Sequence, residues 1–234
     1  MEVLVIIPAR EGSKGIHLKN ILMINGKPLI EYTINSAKKS KLVSRIIIST
    51  DSKKIAKIGK NLNIDIPFIR PKKISGDKAT SFEVVKHTLE FLEKNESYIP
   101  DIIVLLQPTN PLRSTALIDK VINNLKKSKA DTVITVQKIK QHPYSAFWKK
   151  GKYLKPFKEN FQEFSRRQST PALYHNTGDV YAFWNKTVKK YNSFYGKKIQ
   201  PIILSDEFSL IDIDSDFDVF VCESIMKLRK SKYL

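Results

Sequence analysis

Val3-Leu4-Val5-Ile6-Ile7-Pro8-Ala9-Arg10-Glu11-Gly12-Ser13-Lys14-Gly15-Ile16-His17-Leu18-Lys19-Asn20 decides how the rest of the chain is read. The run Val3 to Ile7 is uniformly apolar and of strand length, which predicts a strand buried on both faces. It leads directly into a cationic loop punctuated by Gly12 and Gly15. Cations held together in one loop repel each other and offer a core nothing, so Arg10, Lys14 and Lys19 mark a candidate anion site. The competing reading is a solvated basic turn.

Working outward, apolar runs of strand length alternate with segments of helical period, the pattern of an α/β fold with a largely parallel sheet and crossover helices. Strands are predicted over 3–8, 45–50, 66–69, 101–107 and 132–137, then over 179–184, 200–204 and 209–213. Helical spacing covers 29–41, 52–62, 81–95, 116–127 and 216–230. Thr80-Ser81-Phe82-Glu83 and Ser215-Asp216-Phe217-Asp218 both have the form of a capping box, in which a hydroxyl accepts an amide proton three residues on and the acid reaches back. From Lys138 to Tyr174 the rhythm breaks: the segment is polar and aromatic-rich, with no clean period, and reads as an insertion. Aromatics exposed on such an excursion more often cover a partner than face water.

The length of 234 residues suits one α/β core. Apolar content of 41% and charged content of 27% are those of a soluble globular protein. The first apolar run is too short for a membrane span and lacks the basic region of a signal peptide, so a cytoplasmic protein without membrane partners is expected. Cys222 is alone, which leaves no internal disulfide and no Cys-rich zinc site; it reads as core packing. His17, His87, His142 and His175 are too scattered for a histidine metal site or a Ser-His-Asp triad. The net charge of +18 comes from lysines spread over nearly every helix, as in Lys38-Lys39 and Lys126-Lys127, rather than clustered on one element. That favours a Lys-rich solvated surface over a nucleic-acid-binding protein, the alternative from a different functional class.

Gly12 to Gly15 fits neither G-x-x-x-x-G-K-[ST] nor G-x-G-x-x-G, which disfavours a P-loop NTPase and a dinucleotide-binding dehydrogenase. What remains is a basic loop at the carboxyl edge of an α/β sheet, where ligands of such sheets bind. At about 4 Å and an effective dielectric near ~20, each pairing of a cation with a phosphate oxygen is on the order of 4 kcal/mol before desolvation. At the other end, Leu210-Ile211-Asp212-Ile213-Asp214 alternates, so in a strand Asp212 and Asp214 share one face while Ile211 and Ile213 turn to the core. Adjacent carboxylates repel unless a cation lies between them, and magnesium is commonly held by one or two carboxylates plus substrate phosphates. The alternative is that these acids simply end a strand, with Asp216 and Asp218 in the first turn of the next helix. Gln107 stands where Pro108 and Pro111 forbid the strand to continue. Arg70-Pro71 and the stretch Asp77 to Ser81 can equally be a turn and a cap.

The ordered set Pro8-Ala9-Arg10-Glu11-Gly12-Ser13-Lys14-Gly15, Lys19-Asn20, Ser49-Thr50-Asp51, Arg70-Pro71, Gln107-Pro108-Thr109-Asn110-Pro111-Leu112-Arg113 and Asp212-Ile213-Asp214 resembles the acylneuraminate cytidylyltransferases, the CMP-sialic acid synthetase family. The resemblance implies a Rossmann-like nucleotidyltransferase domain spanning 1–234 that joins CMP from CTP to the anomeric hydroxyl of a nine-carbon sugar acid, releasing pyrophosphate. By that resemblance Arg10, Ser13, Lys14 and Lys19 cradle the triphosphate, with Asn20 near the nucleotide. Arg70, Ala79 and Ser81 read the cytosine and its ribose surroundings. Gln107, Arg167 and Gln168 approach the sugar acid, and Asp212 and Asp214 hold Mg2+. Arg10, Lys19, Asp212 and Asp214 are the catalytic set it implies. It also implies that the excursion at about 140–172 builds a homodimer. One segment departs from the sialate pattern: in Tyr174-His175-Asn176-Thr177-Gly178-Asp179, His175 replaces an arginine and Thr177 an asparagine. His175 therefore joins the sugar-side candidates, and sialic, legionaminic and pseudaminic acids all stay open as substrates. The nearest rival enzyme family, the 3-deoxy-manno-octulosonate cytidylyltransferases, has a differently spaced first loop.

Overall fold

A computed structural model describes residues 1–13, 15–158, 170–206 and 211–230. A six-stranded sheet forms its centre, in the order β10-β6-β9-β5-β1-β4. These strands are β1 (Val3–Pro8), β4 (Arg45–Ser49), β5 (Ile102–Leu105), β6 (Thr132–Lys138), β9 (Tyr174–Trp184) and β10 (Ile199–Ile203). β1 pairs in parallel with β4 and β5, and β6 with β10, while β9 runs antiparallel to both of its neighbours.

The opening strand is buried on both faces, and its period of two assigns each side chain to a core. Val3, Val5 and Ile7 join one cluster with Ile30 and Ile34 of α1 (Leu29–Lys38), Ile55 of α2 (Lys53–Asn61), and Ile118 and Val121 of α4 (Thr115–Lys127). Leu4 and Ile6 pack on the other side against Val85, Leu89 and Leu92 of α3 (Ser81–Glu96) and Val188 of α5 (Asn185–Tyr191). Three layers follow, with helices covering both faces of the sheet. A third cluster seats α6 (Asp216–Lys230) through Cys222 and Ile225 on Ile24, Leu29, Leu112 and Ile213. Cys222 is fully buried, and burial raises its thiol pKa to about 11, as befits a packing residue.

The antiparallel placement of β9 follows from the excursion. β6 ends at the carboxyl edge of the sheet, and the chain returns so close by that Lys138 pairs with Tyr174. A strand that re-enters at the edge it left can only run backwards. Between these strands lies a separate hairpin, β7 (Phe147–Lys150) and β8 (Tyr153–Pro156), turning at Gly151 with φ +59°. A smaller hairpin, β2 (Met23–Ile24) and β3 (Lys27–Pro28), turns at Asn25-Gly26, where both residues have positive φ as a tight hairpin turn requires.

Several expectations are corrected. Residues 66–69 form no strand; Asp65 makes one isolated bridge to Ile47, and Pro67 cannot donate to a ladder. Of the strand expected over 209–213, residues 209 and 210 lie outside the described residues, and Ile211 to Asp214 are irregular, tied in by Ile213 N–H donating to Thr109 O at 2.8 Å. The alternation survives without the strand: Ile213 is buried while Asp212 and Asp214 are exposed. The excursion contains a regular hairpin, and both it and short α5 escaped a reading based on longer periods. The Thr80–Glu83 capping box is present, with Glu83 N–H donating to Thr80 Oγ1 at 3.2 Å and Thr80 N–H to Glu83 Oε2 at 2.7 Å. Replacing Ile6, fully buried on β1, with alanine should cost about 2–5 kcal/mol of unfolding free energy with an unchanged denaturant slope, measured by urea titration.

Candidate active site

β1 lies between β4 and β5; within this sheet the chain passes from β1 to β4 on one side and from β5 to β6 on the other, so the connections diverge and open a crevice between the carboxyl ends of β1 and β5. A cleft of about 350 Å³ occupies this switch point. The loop after β1 supplies Arg10, Ser13, Gly15, Lys19 and Asn20; the segment before α3 supplies Arg70, Ala79 and Ser81; the end of β5 supplies Gln107; and Asp214 closes it from the far end of the sequence. Nearly every residue singled out in the sequence and described by the structure thus lines one cavity. Asp212 lies beside it, and His175 does not line it. His175 sits on β9 with Nε2 3.3 Å from Gln137 Oε1. Lys14, Arg167 and Gln168 lie outside the described residues.

The first loop and the acidic segment meet by close approach. A Cβ on Gly15 would overlap the carbonyl oxygen of Asp214, so only glycine fits there. Lys19 Nζ then reaches Asp214 Oδ1 at 2.7 Å. Asn20 is buried and donates from Nδ2 to Arg10 O at 2.8 Å, fastening the two ends of the loop together.

Each described cation of the cleft has a carboxylate partner. Arg10 Nη1 is 2.9 Å from Asp77 Oδ1, Lys19 pairs with Asp214, and Arg70 Nη2 is 3.8 Å from Asp51 Oδ1. Asp51 also accepts from Glu11 N–H at 2.9 Å. Burial depresses the pKa of Arg70, and the neighbouring Arg10 adds to the depression against Asp51. Sequence reasoning had read Asp77 as part of a turn and given Asp51 no role. Their signal was present, since a basic cleft in a folded protein needs counter-charge, but pairing across the fold cannot be read from spacing. Gln107 donates from Nε2 to Ser81 Oγ at 3.2 Å, joining the segment after β5 to the start of α3.

Asp212 and Asp214 suit a hard cation. Burial raises the Asp212 pKa, and the charges of Asp214 and Asp218 add to that, opposed by a Thr109 hydrogen bond and by Lys19. By area Asp212 is exposed, but the protein crowding its carboxyl governs the cost of the charge. Asp218 is engaged elsewhere. Burial raises its pKa, but hydrogen bonds from the Ser215 hydroxyl and the Asp214 and Ser215 amides outweigh this and hold the carboxyl below the usual range. Among the described residues no three His, Cys, Asp or Glu side chains are gathered as a metal cage. Lys19 already stands as a cation against one of the two carboxylates, and a pair of this kind could hold a magnesium ion only if substrate and water supplied its other ligands.

Comparison with known proteins bears on the fold and the family. Among proteins of similar sequence, a post-translational flagellin modification protein B of Campylobacter coli is 34% identical over 97% of this chain and 95% of its own length. A CMP-N,N'-diacetyllegionaminic acid synthase of Legionella pneumophila is 32% identical over 98% of both chains. A solved CMP:2-keto-3-deoxy-manno-octonic acid synthetase, in complex with CTP, superposes with a TM-score of 0.70 at 14% identity, covering 98% of this chain and 100% of that one; it shows the same fold. Residues 4–232 match the family described as cytidylyltransferase, and the chain belongs to that family.

Proposed function

We propose that this protein transfers CMP from CTP to the anomeric hydroxyl of a nonulosonic acid of the sialic, legionaminic or pseudaminic type, with release of pyrophosphate. The observation that carries the reading is the meeting of a cationic loop with a pair of carboxylates at one cleft, joined by Lys19 and Asp214 at 2.7 Å. A bound triphosphate would exchange with the carboxylates now facing Arg10 and Lys19. Arg10, Ser13, Lys14 and Lys19 would then hold the phosphates, and Asn20, Arg70, Ala79 and Ser81 the nucleoside, which suits a cleft lined by all of these that the structure describes. Gln107 would meet the sugar acid; Arg167, Gln168 and His175 are carried to the sugar acid by the family resemblance alone. Asp212 and Asp214 would hold Mg2+, which when bound neutralises phosphate charge and makes an attacking hydroxyl more acidic. Attack on the α-phosphorus leaves charge on the phosphoryl oxygens and on pyrophosphate, so positioned cations are most of what the reaction needs from the chain. No covalent nucleophile is required.

A homodimer is part of the proposal. Trp148, Tyr153 and Leu154 on the β7–β8 hairpin are 56%, 68% and 65% exposed. An apolar surface of this kind on a projecting element is best accounted for by a second subunit covering it. We place the protein in the cytoplasm, where CTP is available; no helix among the described residues is long and apolar enough to cross a membrane.

CTP with magnesium at about 100 times its dissociation constant should stabilise the fold by about 2.7 kcal/mol, read as a thermal shift that GTP does not reproduce. Pyrophosphate release from CTP should then respond to at least one of sialic, legionaminic and pseudaminic acids, and silence with all three would overturn the reading. Asp212→Ala and Asp214→Ala should each abolish turnover while leaving the circular dichroism spectrum unchanged. Because burial raises the pKa of Asp212 in the metal-free protein, protons compete for its carboxylate at a higher pH than for an ordinary aspartate; Mg2+ affinity should fall as pH drops through that raised value and recover on return, read by Mg2+ titration across pH. Gly15→Ala should cut CTP affinity sharply, because the Asp214 carbonyl it would strike is fixed by Ile213 on the core. An unaffected Kd for CTP would show that the loop and the acidic segment need not meet.

A further inference from the structure

Behind the cleft lies a sealed polar cluster that the proposed reaction leaves unused. Asn110, Arg113 and Asp179 are only 1%, 4% and 1% exposed. Both side-chain polar atoms of Asn110, both carboxylate oxygens of Asp179 and Nε of Arg113 have no hydrogen-bond partner among the described residues. The Thr177 hydroxyl lies close enough to Asp179 to favour its charged form, but it donates to Thr135 Oγ1 at 2.8 Å. Interiors leave few polar atoms orphaned, and several together call for a water with two to four polar partners. The three residues are neighbours: Arg113 and Asp179 attract one another through space, and Asn110 Oδ1 is 3.8 Å from where a Cβ on Gly178 would stand.

The remaining donors of Arg113 tie the cleft wall to α1. Nη2 donates to the main-chain carbonyl of Gln107 at 2.6 Å, and Nη1 to Thr33 Oγ1 at 3.1 Å. Asp179 follows Gly178, which has φ +76°, where the pairing of β6 and β9 shifts register. Arg113 therefore stands between the loop that presents Gln107 and the irregular turn of β9. A buried guanidinium without a counter-charge would be too costly to keep there, and Asp179 is the buried acid that faces it.

We infer that Arg113 and Asp179, bridged by buried water together with Asn110, are positioning residues that lock the Gln107 main chain to β9 and so fix the sugar-acid side of the cleft. Neither lines the cleft and both are buried, at 4% and 1% exposure, so neither is placed to touch substrate. The inference rests on the reading that places the sugar acid at Gln107.

Hydrogen–deuterium exchange on the ligand-free full chain tests the lock without relying on activity. In Asp179→Ala and in Arg113→Lys, peptides covering 106–113 should exchange faster than in wild type, while those covering β1 stay unchanged; the isosteric Asp179→Asn should give a smaller increase. In pyrophosphate release, using whichever of the three acids the wild type accepts, KM for the acid should rise by about tenfold, the loss of one buried hydrogen bond, with the CTP-induced thermal shift preserved. A crystal structure should show water within hydrogen-bond distance of Arg113 Nε and Asp179. If Asp179→Ala does not fold, Asp179→Asn and Arg113→Lys carry the test. Unchanged exchange over 106–113 in the folded variants, or a loss of CTP binding equal to the loss of sugar affinity, would overturn the inference. Failure of the cytidylyltransferase reading would appear instead in the wild type, as absent CTP-dependent turnover, with the exchange result still standing.

Discussion

The whole site depends on the contact between Gly15 and the backbone of Asp214, two points that are far apart in the chain and leave no room for a side chain between them. It sets a cationic loop against an acidic segment at a distance where Lys19 and Asp214 can bond directly. Neither set is comfortable alone. The loop needs counter-charge, and two carboxylates side by side need a cation. Packed together they satisfy each other, and each remains available to a ligand of opposite sign.

That arrangement is held from below by ordinary packing. β1 puts alternate side chains into two cores, which fixes where its carboxyl end emerges and so where Arg10 begins the loop. Ile213 fixes the acidic segment by burial between α6 and Leu112, which leaves Asp212 and Asp214 no choice but to face outward. The same edge of the sheet receives the return of the chain into β9, and this brings Asp179 behind the loop that carries Gln107. One sheet edge therefore organises the phosphate side, the acidic side and the wall between them.

The layered α/β architecture was legible because it rests on periodicity, which is local. The unbroken apolar run of Val3 to Ile7 and the helical stripes of α1 to α4 state which faces are buried whatever they are buried against. Capping was legible for the same reason, since Thr80 and Glu83 are three residues apart. The hairpin β7–β8 was not, because its strands are too short and too exposed to show a buried face. The irregular path of Ile211 to Asp214 was misread as a strand, because alternation around one buried isoleucine looks the same with or without a partner strand.

The sequence by itself determined the residue types of the cleft, the family they resemble and the order in which they occur, since charge and spacing are properties of the chain. Only the tertiary structure decided which opposite charges meet. Asp77 on Arg10, Asp51 on Arg70, Asp214 on Lys19 and Asp179 facing Arg113 are pairings across the fold. Coulomb interactions act through space rather than along the chain, so these partners become visible only once the sheet has brought its carboxyl edge together.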